Sequence, residues 1–304
     1  MSQPSSSPSR QTVPSVRSRK VRDGSEPLVM VTAYDAPGAR MADEAGVDMI
    51  LVGDSLAMVV LGYDDTLQVT IDDMAHHVAA VSRARPRPLV VGDLPWMSYH
   101  VSIEETVSNA ARLIRAGAQC VKLEGGRKRV PMIEAIVDAE IPVMGHIGLT
   151  PQSVNAMGGF RVQGRQSEAA LALVSDAKAL EHAGCFALVI EGVPDEVASL
   201  VTDAVDIPTI GIGAGPHCDG QVLVCYDFLG MYRDIQPKFV KRYAELGDAI
   251  VNAMRAYVGD VQSGAFPEAR HSFGMAQPKA VGEPTGAKPV VSGAAPQYGP
   301  ADEK

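Results

Sequence analysis

Where the apolar runs of this chain stop, they stop on residues that can do chemistry. Asp54 and Ser55 follow MILVG, and Asp93 follows LVVG. Lys122 and Glu124 lie in CVKLE, His146 follows VMG, Glu191 closes ALVIE, and Asp227 comes after QVLVCY. Carboxylates, an ammonium and an imidazole gathered in one place could bind a cation, hold an anionic substrate and move a proton. Burying several carboxylates together is costly unless a metal ion or a basic side chain compensates them. Asp54, Asp93 and Glu124 are oxygen donors. Such a set suits a hard cation with positions left for water and substrate, which favours magnesium over calcium, whereas zinc would prefer His or Cys partners and only His146 is near.

Each residue also has a plainer reading. An Asp closing a strand can cap the next turn, Glu191 can be a solvated loop carboxylate, Lys122 can snorkel outward, and His146 can be a satisfied core histidine. Those readings serve one at a time. Together they would require unrelated accidents at the same level of five strands. His76-His77 falls inside a predicted helix and reads as a solvated or interface pair, and the lone Trp96 reads as core packing, with a pocket wall as the alternative. Cys120, Cys185, Cys218 and Cys225 form no CxxC pair and read as small buried hydrophobes.

Something must bring these positions to one level. The spacing predicts eight strands, at 27–34, 48–54, 88–94, 119–124, 142–147, 186–191, 208–213 and 222–226, several of them apolar at successive positions, as in a parallel sheet buried on both faces. Helical signals lie between most of them. Thr70 is a candidate N-cap for 71–83, Ser102 with Glu105 reads as a capping box, and 167–183 has near-helical apolar spacing. EAGVDMILVGD, RAGAQCVKLEG and HAGCFALVIEG echo one another, and Gly46, Gly117 and Gly184 fall where a helix ends in a left-handed residue. A β-then-α alternation repeated eight times predicts an α/β (β/α)8 TIM barrel, whose active site lies at the C-terminal ends of the strands. An open doubly wound sheet fits less well, because its GxGxxG belongs after the first strand and this chain has Gly211-Ile-Gly-Ala-Gly215 after the seventh.

The 304 residues are 46% hydrophobic and 21% charged, enough for a large buried core, and the net charge of -9 argues against a nucleic-acid partner. No apolar run is long enough for a bilayer span, and the N-terminus lacks the apolar stretch of a signal peptide, so a cytoplasmic protein without a membrane partner is expected. Residues 1–25 are rich in Ser, Pro and Arg, and 276–304 in Pro, Gly and Ala. Both are expected to be disordered tails flanking a single catalytic domain at 26–275.

The motifs Thr32-Ala-Tyr-Asp35, Val52-Gly-Asp-Ser55, Gly92-Asp-Leu-Pro95, Val121-Lys-Leu-Glu-Gly125, Gly145-His-Ile-Gly-Leu-Thr-Pro-Gln152 and Ile210-Gly-Ile-Gly-Ala-Gly215, with the later Phe266-Pro and His271-Ser-Phe273, closely resemble the 3-methyl-2-oxobutanoate (ketopantoate) hydroxymethyltransferase family over about 25–275. The resemblance implies a TIM barrel of the phosphoenolpyruvate mutase/isocitrate lyase type. It also implies transfer of a hydroxymethyl group from 5,10-methylenetetrahydrofolate to 3-methyl-2-oxobutanoate through a magnesium-stabilised enolate, for pantothenate and coenzyme A synthesis, in a homodecamer. On that basis Asp54, Asp93 and Glu124 are expected at a magnesium site. Asp54, Ser55, Asp93 and Lys122 are expected on the oxoacid, His146 in the same pocket, and Glu191 as the proton acceptor. A lyase of the same superfamily is the nearest alternative, but 157–164 has no cysteine for a mobile catalytic loop. A non-catalytic oxoacid sensor would have no need of Glu191.

Overall fold

The computed structural model describes residues 10–233 and 237–274. Eight parallel strands close into a barrel in sequence order: β1 Leu28–Thr32, β2 Met49–Val52, β3 Leu89–Asp93, β4 Cys120–Glu124, β5 Val143–Gly148, β6 Ala187–Glu191, β7 Thr209–Ile212 and β8 Gly220–Leu223. β8 returns to β1 with Met30 opposite Val222, which completes the closure. The predicted barrel is therefore present; most strands are shorter than predicted, β5 is shifted by one residue, and β8 begins two residues earlier than predicted and gives way to a short helix at Cys225–Phe228. The alternation with helices breaks once. β7 and β8 are joined directly by residues 213–219, without the expected helix.

Side chains alternate between the faces of a strand. Leu28, Met30, Met49, Leu89, Val91 and Met144 belong to a cluster inside the barrel, while Ile50, Val52, Val90, Val121 and Leu188 join a second cluster with the surrounding helices. Both faces are covered, which explains why the runs are apolar at every position.

The helix ends follow their local chemistry. Thr70 caps Ile71–Arg83 in a reciprocal box with Asp73. Ser102 accepts the Glu105 N–H at 3.1 Å and so caps Ile103–Ala116, but the return bond from Glu105 is not made. Gly117 ends that helix at φ 113°, and a Cβ there would stand 2.5 Å from Ser82 Cβ, so both conformation and space require glycine.

The expected N-terminal tail is different over residues 10–25. Val13–Arg17 is a short helix whose Val16 is wholly buried in the cluster inside the barrel. Just beyond it, Lys20 Nζ donates to Thr202 O at 3.0 Å, Ile207 O at 3.2 Å and Asp219 Oδ2 at 2.8 Å. Asp219 in turn accepts from the N–H groups of Val21 and Thr209, both at 2.9 Å. Average composition masked this arrangement, because one apolar side chain and one fully satisfied ammonium are enough to dock the segment. Residues 1–9 and the expected tail 276–304 lie outside the described residues.

Where the sequence predicts a single domain over 26–275, contacts among the described residues cluster into two units divided after Asn252, the first of which contains the barrel. In the second unit the Phe266 ring lies 5.6 Å from Tyr257 and 5.1 Å from His271. Among the described residues no helix is long and apolar enough to cross a membrane.

Candidate active site

The alternation that buries Val91, Cys120, Met144 and Val189 inside the barrel carries Asp93, Lys122, Glu124, His146 and Glu191 to the layer above them, at the C-terminal mouth. Asp54 and Ser55 reach the same level from the turn that leaves β2. All seven expected site residues line one cavity of about 890 Å³. Ser55 makes no helix-capping bond and its hydroxyl pairs with Tyr34 Oη at 2.9 Å.

The charged groups form a connected chain. Lys122 Nζ lies 2.8 Å from Asp93 Oδ1, 3.8 Å from Glu124 Oε1 and 3.4 Å from His146 Nδ1. The His146 ring stands between two carboxylates, with Nδ1 3.4 Å from Glu124 Oε1 and Nε2 3.2 Å from Glu191 Oε2. Asp54, Asp93, Lys122, Glu124 and His146 are buried, whereas Glu191 is only partly so. Burial by itself would pull the Lys122 ammonium toward neutrality, but Asp93, Glu124 and Asp54 outweigh it and hold its pKa above the usual lysine range. Burial also opposes a charged His146, and Glu124 overcomes it, raising the imidazole to about 9. Glu124 lies below the ordinary carboxylate value, because His146 and Lys122 prevail over its burial. Asp93 is raised by burial, and Asp54 is raised well above the usual range, first by burial and then by the charges of Asp93 and Glu124.

That imbalance bears on a cation. Three buried carboxylates face one ammonium and one imidazole, and the side-chain partner of Asp54 is the neutral Gln152 amide at 2.9 Å. Donor type and surplus negative charge fit a hard cation. Among the described residues, however, no three His, Cys, Asp or Glu side chains are gathered tightly enough to enclose an ion. The fit is therefore to an ion held by one or two carboxylates, with its other positions open to water and substrate, the coordination magnesium favours.

Other sequence candidates fall elsewhere. Asp35 caps Ala36–Ala45 by accepting the Gly38 N–H at 2.7 Å. His77 Nδ1 donates to Tyr34 O at 2.7 Å and so steadies the chain that carries Tyr34. Trp96 is exposed rather than packed in the core, and it does not line the cavity. Asp227 does line it, and burial raises its carboxyl to about 6. Cys120, Cys185 and Cys218 are buried and Cys225 partly so, all as free thiols. Gln152 and Tyr99, which brace the site from behind, were not singled out in the sequence; the only signal was the place of Gln152 in the motif after His146.

Many solved structures share the architecture, two enzymes among them. One is 2,3-dimethylmalate lyase, a phosphoenolpyruvate mutase/isocitrate lyase superfamily member, with a TM-score of 0.56 and 19% identity over 90% of this chain and 93% of that one. The other is phosphonopyruvate hydrolase in complex with oxalate and Mg2+, with a TM-score of 0.56 and 15% identity over 86% and 93%. At such identities the likeness speaks to fold. Relatives named 3-methyl-2-oxobutanoate hydroxymethyltransferase are far closer. That of Syntrophobacter fumaroxidans is 55% identical over 269 residues, 88% of this chain and 94% of the relative, and that of Oleidesulfovibrio alaskensis is 59% identical over 249 residues, 82% and 86%. A profile of ketopantoate hydroxymethyltransferases matches residues 10–269, so it spans the barrel, its docked N-terminal segment and every residue of the cavity described above. With that match and these relatives, the chain belongs to the ketopantoate hydroxymethyltransferase family.

Proposed function

We propose that this chain transfers a hydroxymethyl group from 5,10-methylenetetrahydrofolate to 3-methyl-2-oxobutanoate, forming 2-dehydropantoate for pantothenate and coenzyme A synthesis. The observation that carries the reading is the pairing, in one cavity, of a buried ammonium with a partly exposed carboxylate that is free of it. Lys122 is held charged by Asp93, while Glu191 touches His146.

Lys122 and the Ser55 hydroxyl would seat the oxoacid carboxylate and fix its orientation, so that the branched carbon faces the opposite side of the mouth. Glu191 then takes the hydrogen from that carbon, and His146 holds the base in place through Nε2. The new carbon nucleophile forms its bond to the methylene carbon of the folate co-substrate as the bond from that carbon to one folate nitrogen breaks. Water supplies the hydroxyl as the bond to the second nitrogen breaks, and tetrahydrofolate leaves with one proton from the branched carbon and one from water on its two nitrogens. One or two of Asp54, Asp93 and Glu124 would hold magnesium, with the remaining carboxylate close by, and the ion would supply Lewis acidity toward the oxoacid when bound. The test is product formation from the two substrates with magnesium present. The reading fails if the folded protein consumes no 3-methyl-2-oxobutanoate, or consumes it without the folate.

A further inference from the structure

Gln152 is buried in the turn Pro151–Ser153 beyond β5, and every hydrogen-bonding group of its side-chain amide is used behind the candidate site. Its backbone N–H donates to Glu124 Oε2 at 3.1 Å. Its side-chain Nε2 donates to Asp54 Oδ2 and to Leu94 O, both at 2.9 Å. Its Oε1 accepts from Tyr99 Oη at 2.5 Å, and the same Tyr99 oxygen accepts the Glu124 N–H at 3.2 Å.

The polarity of this network has one solution. Leu94 O can only accept, so Nε2 must face it, and Oε1 must then face Tyr99. The single phenolic proton goes to Oε1, which leaves the oxygen lone pairs for the Glu124 N–H. Tyr99 is itself wholly buried, with the Arg129 guanidinium 5.3 Å above its ring, so its hydroxyl has little freedom to turn away. One residue after β5 thus ties a carboxylate that follows β2 to a carboxylate on β4, and a tyrosine from the loop after β3 fixes the direction of the tie.

The choice of an amide matters. An ammonium or guanidinium in this place would neutralise Asp54 and compete with any cation it binds. The side-chain amide orients Asp54 and leaves its charge intact, while the backbone N–H of the same residue holds Glu124. We propose that Gln152 and Tyr99 are positioning residues that hold Asp54 and Glu124 ready for a divalent cation, an inference that rests on the cation reading of the site.

Mn2+ alone, titrated into the full chain and followed by the electron paramagnetic resonance signal of the free ion, tests this without turnover. Gln152→Met keeps the length of the side chain and removes its donors and acceptor, and Tyr99→Phe removes one hydroxyl. Each is expected to weaken Mn2+ binding by about 10- to 100-fold, the usual cost of losing an outer partner of a ligand. At saturating magnesium kcat should return to within a few-fold of the parent, a recovery that a merely structural defect would not show. If Gln152→Met fails to fold, the Tyr99→Phe result decides. Variants that bind Mn2+ within twofold of a parent that binds it would overturn the proposal and leave the cation reading standing. A parent that binds no Mn2+ would remove both.

Discussion

Lys20→Met is a sharp test of whether the N-terminal segment belongs to the fold. The Lys20 and Asp219 side chains are 3% and 1% exposed, and all three ammonium protons are used. Methionine keeps the length of the side chain but leaves a buried Asp219 carboxylate without its cation. Breaking a buried pair in this way costs about 3–5 kcal/mol. Asp219 keeps its bonds from Val21 N and Thr209 N, so the lower end of that range, about 3 kcal/mol, is expected. The control lies two residues away. Arg22 pairs with Asp206 on the surface, with side chains 37% and 92% exposed, and Arg22→Met should cost at most about 0.5 kcal/mol. Urea unfolding followed by far-ultraviolet circular dichroism, at one fixed protein concentration, measures both. The midpoint should fall for Lys20→Met with the slope unchanged and should stay put for Arg22→Met. A Lys20→Met protein as stable as the Arg22→Met control would refute the docking of residues 16–21.

Glu191→Gln should still bind the oxoacid by calorimetry while exchange of its branched-carbon hydrogen with deuterated solvent, read by proton NMR, drops by about 100-fold or more; parent-rate exchange would move the base elsewhere. Asp54→Asn should instead lower binding and exchange together, because it alters the seat of the substrate rather than the base. Stripping the protein with a chelator should abolish turnover and added magnesium should restore it, and full activity of the stripped enzyme would contradict the cation reading. Asp227 supplies a pH signature. Its carboxyl is raised from 3.8 to about 6 in the folded chain, so the folded state holds the proton more tightly than the unfolded one, and its contribution to stability is present below about pH 4 and lost as pH rises through 6. Asp227→Asn should flatten that part of the thermal stability profile, and a profile unchanged by the substitution would show that the group is not desolvated.

Much of the architecture was legible in the sequence. Runs apolar at every position can only be strands covered on both faces, and left-handed glycines at 46, 117 and 184 punctuate the helices that cover them. Period-two alternation then determines that Asp93, Lys122, Glu124, His146 and Glu191 share the inner face once the barrel closes. What the sequence could not convey was anything set by contacts between distant segments. Lys20 looks like a surface lysine until Asp219, 199 residues away, meets it. The short passage from β7 to β8 needed no helix, because two glycines with positive φ, Gly213 and Gly215, turn the chain sharply there. Gln152 and Tyr99 carry no charge and lie off the strands, so no pattern marked them. Their role arises only because closure of the barrel sets the β2, β3, β4 and β5 ends side by side, where the side chain of Gln152 reaches Asp54 while its backbone N–H reaches Glu124.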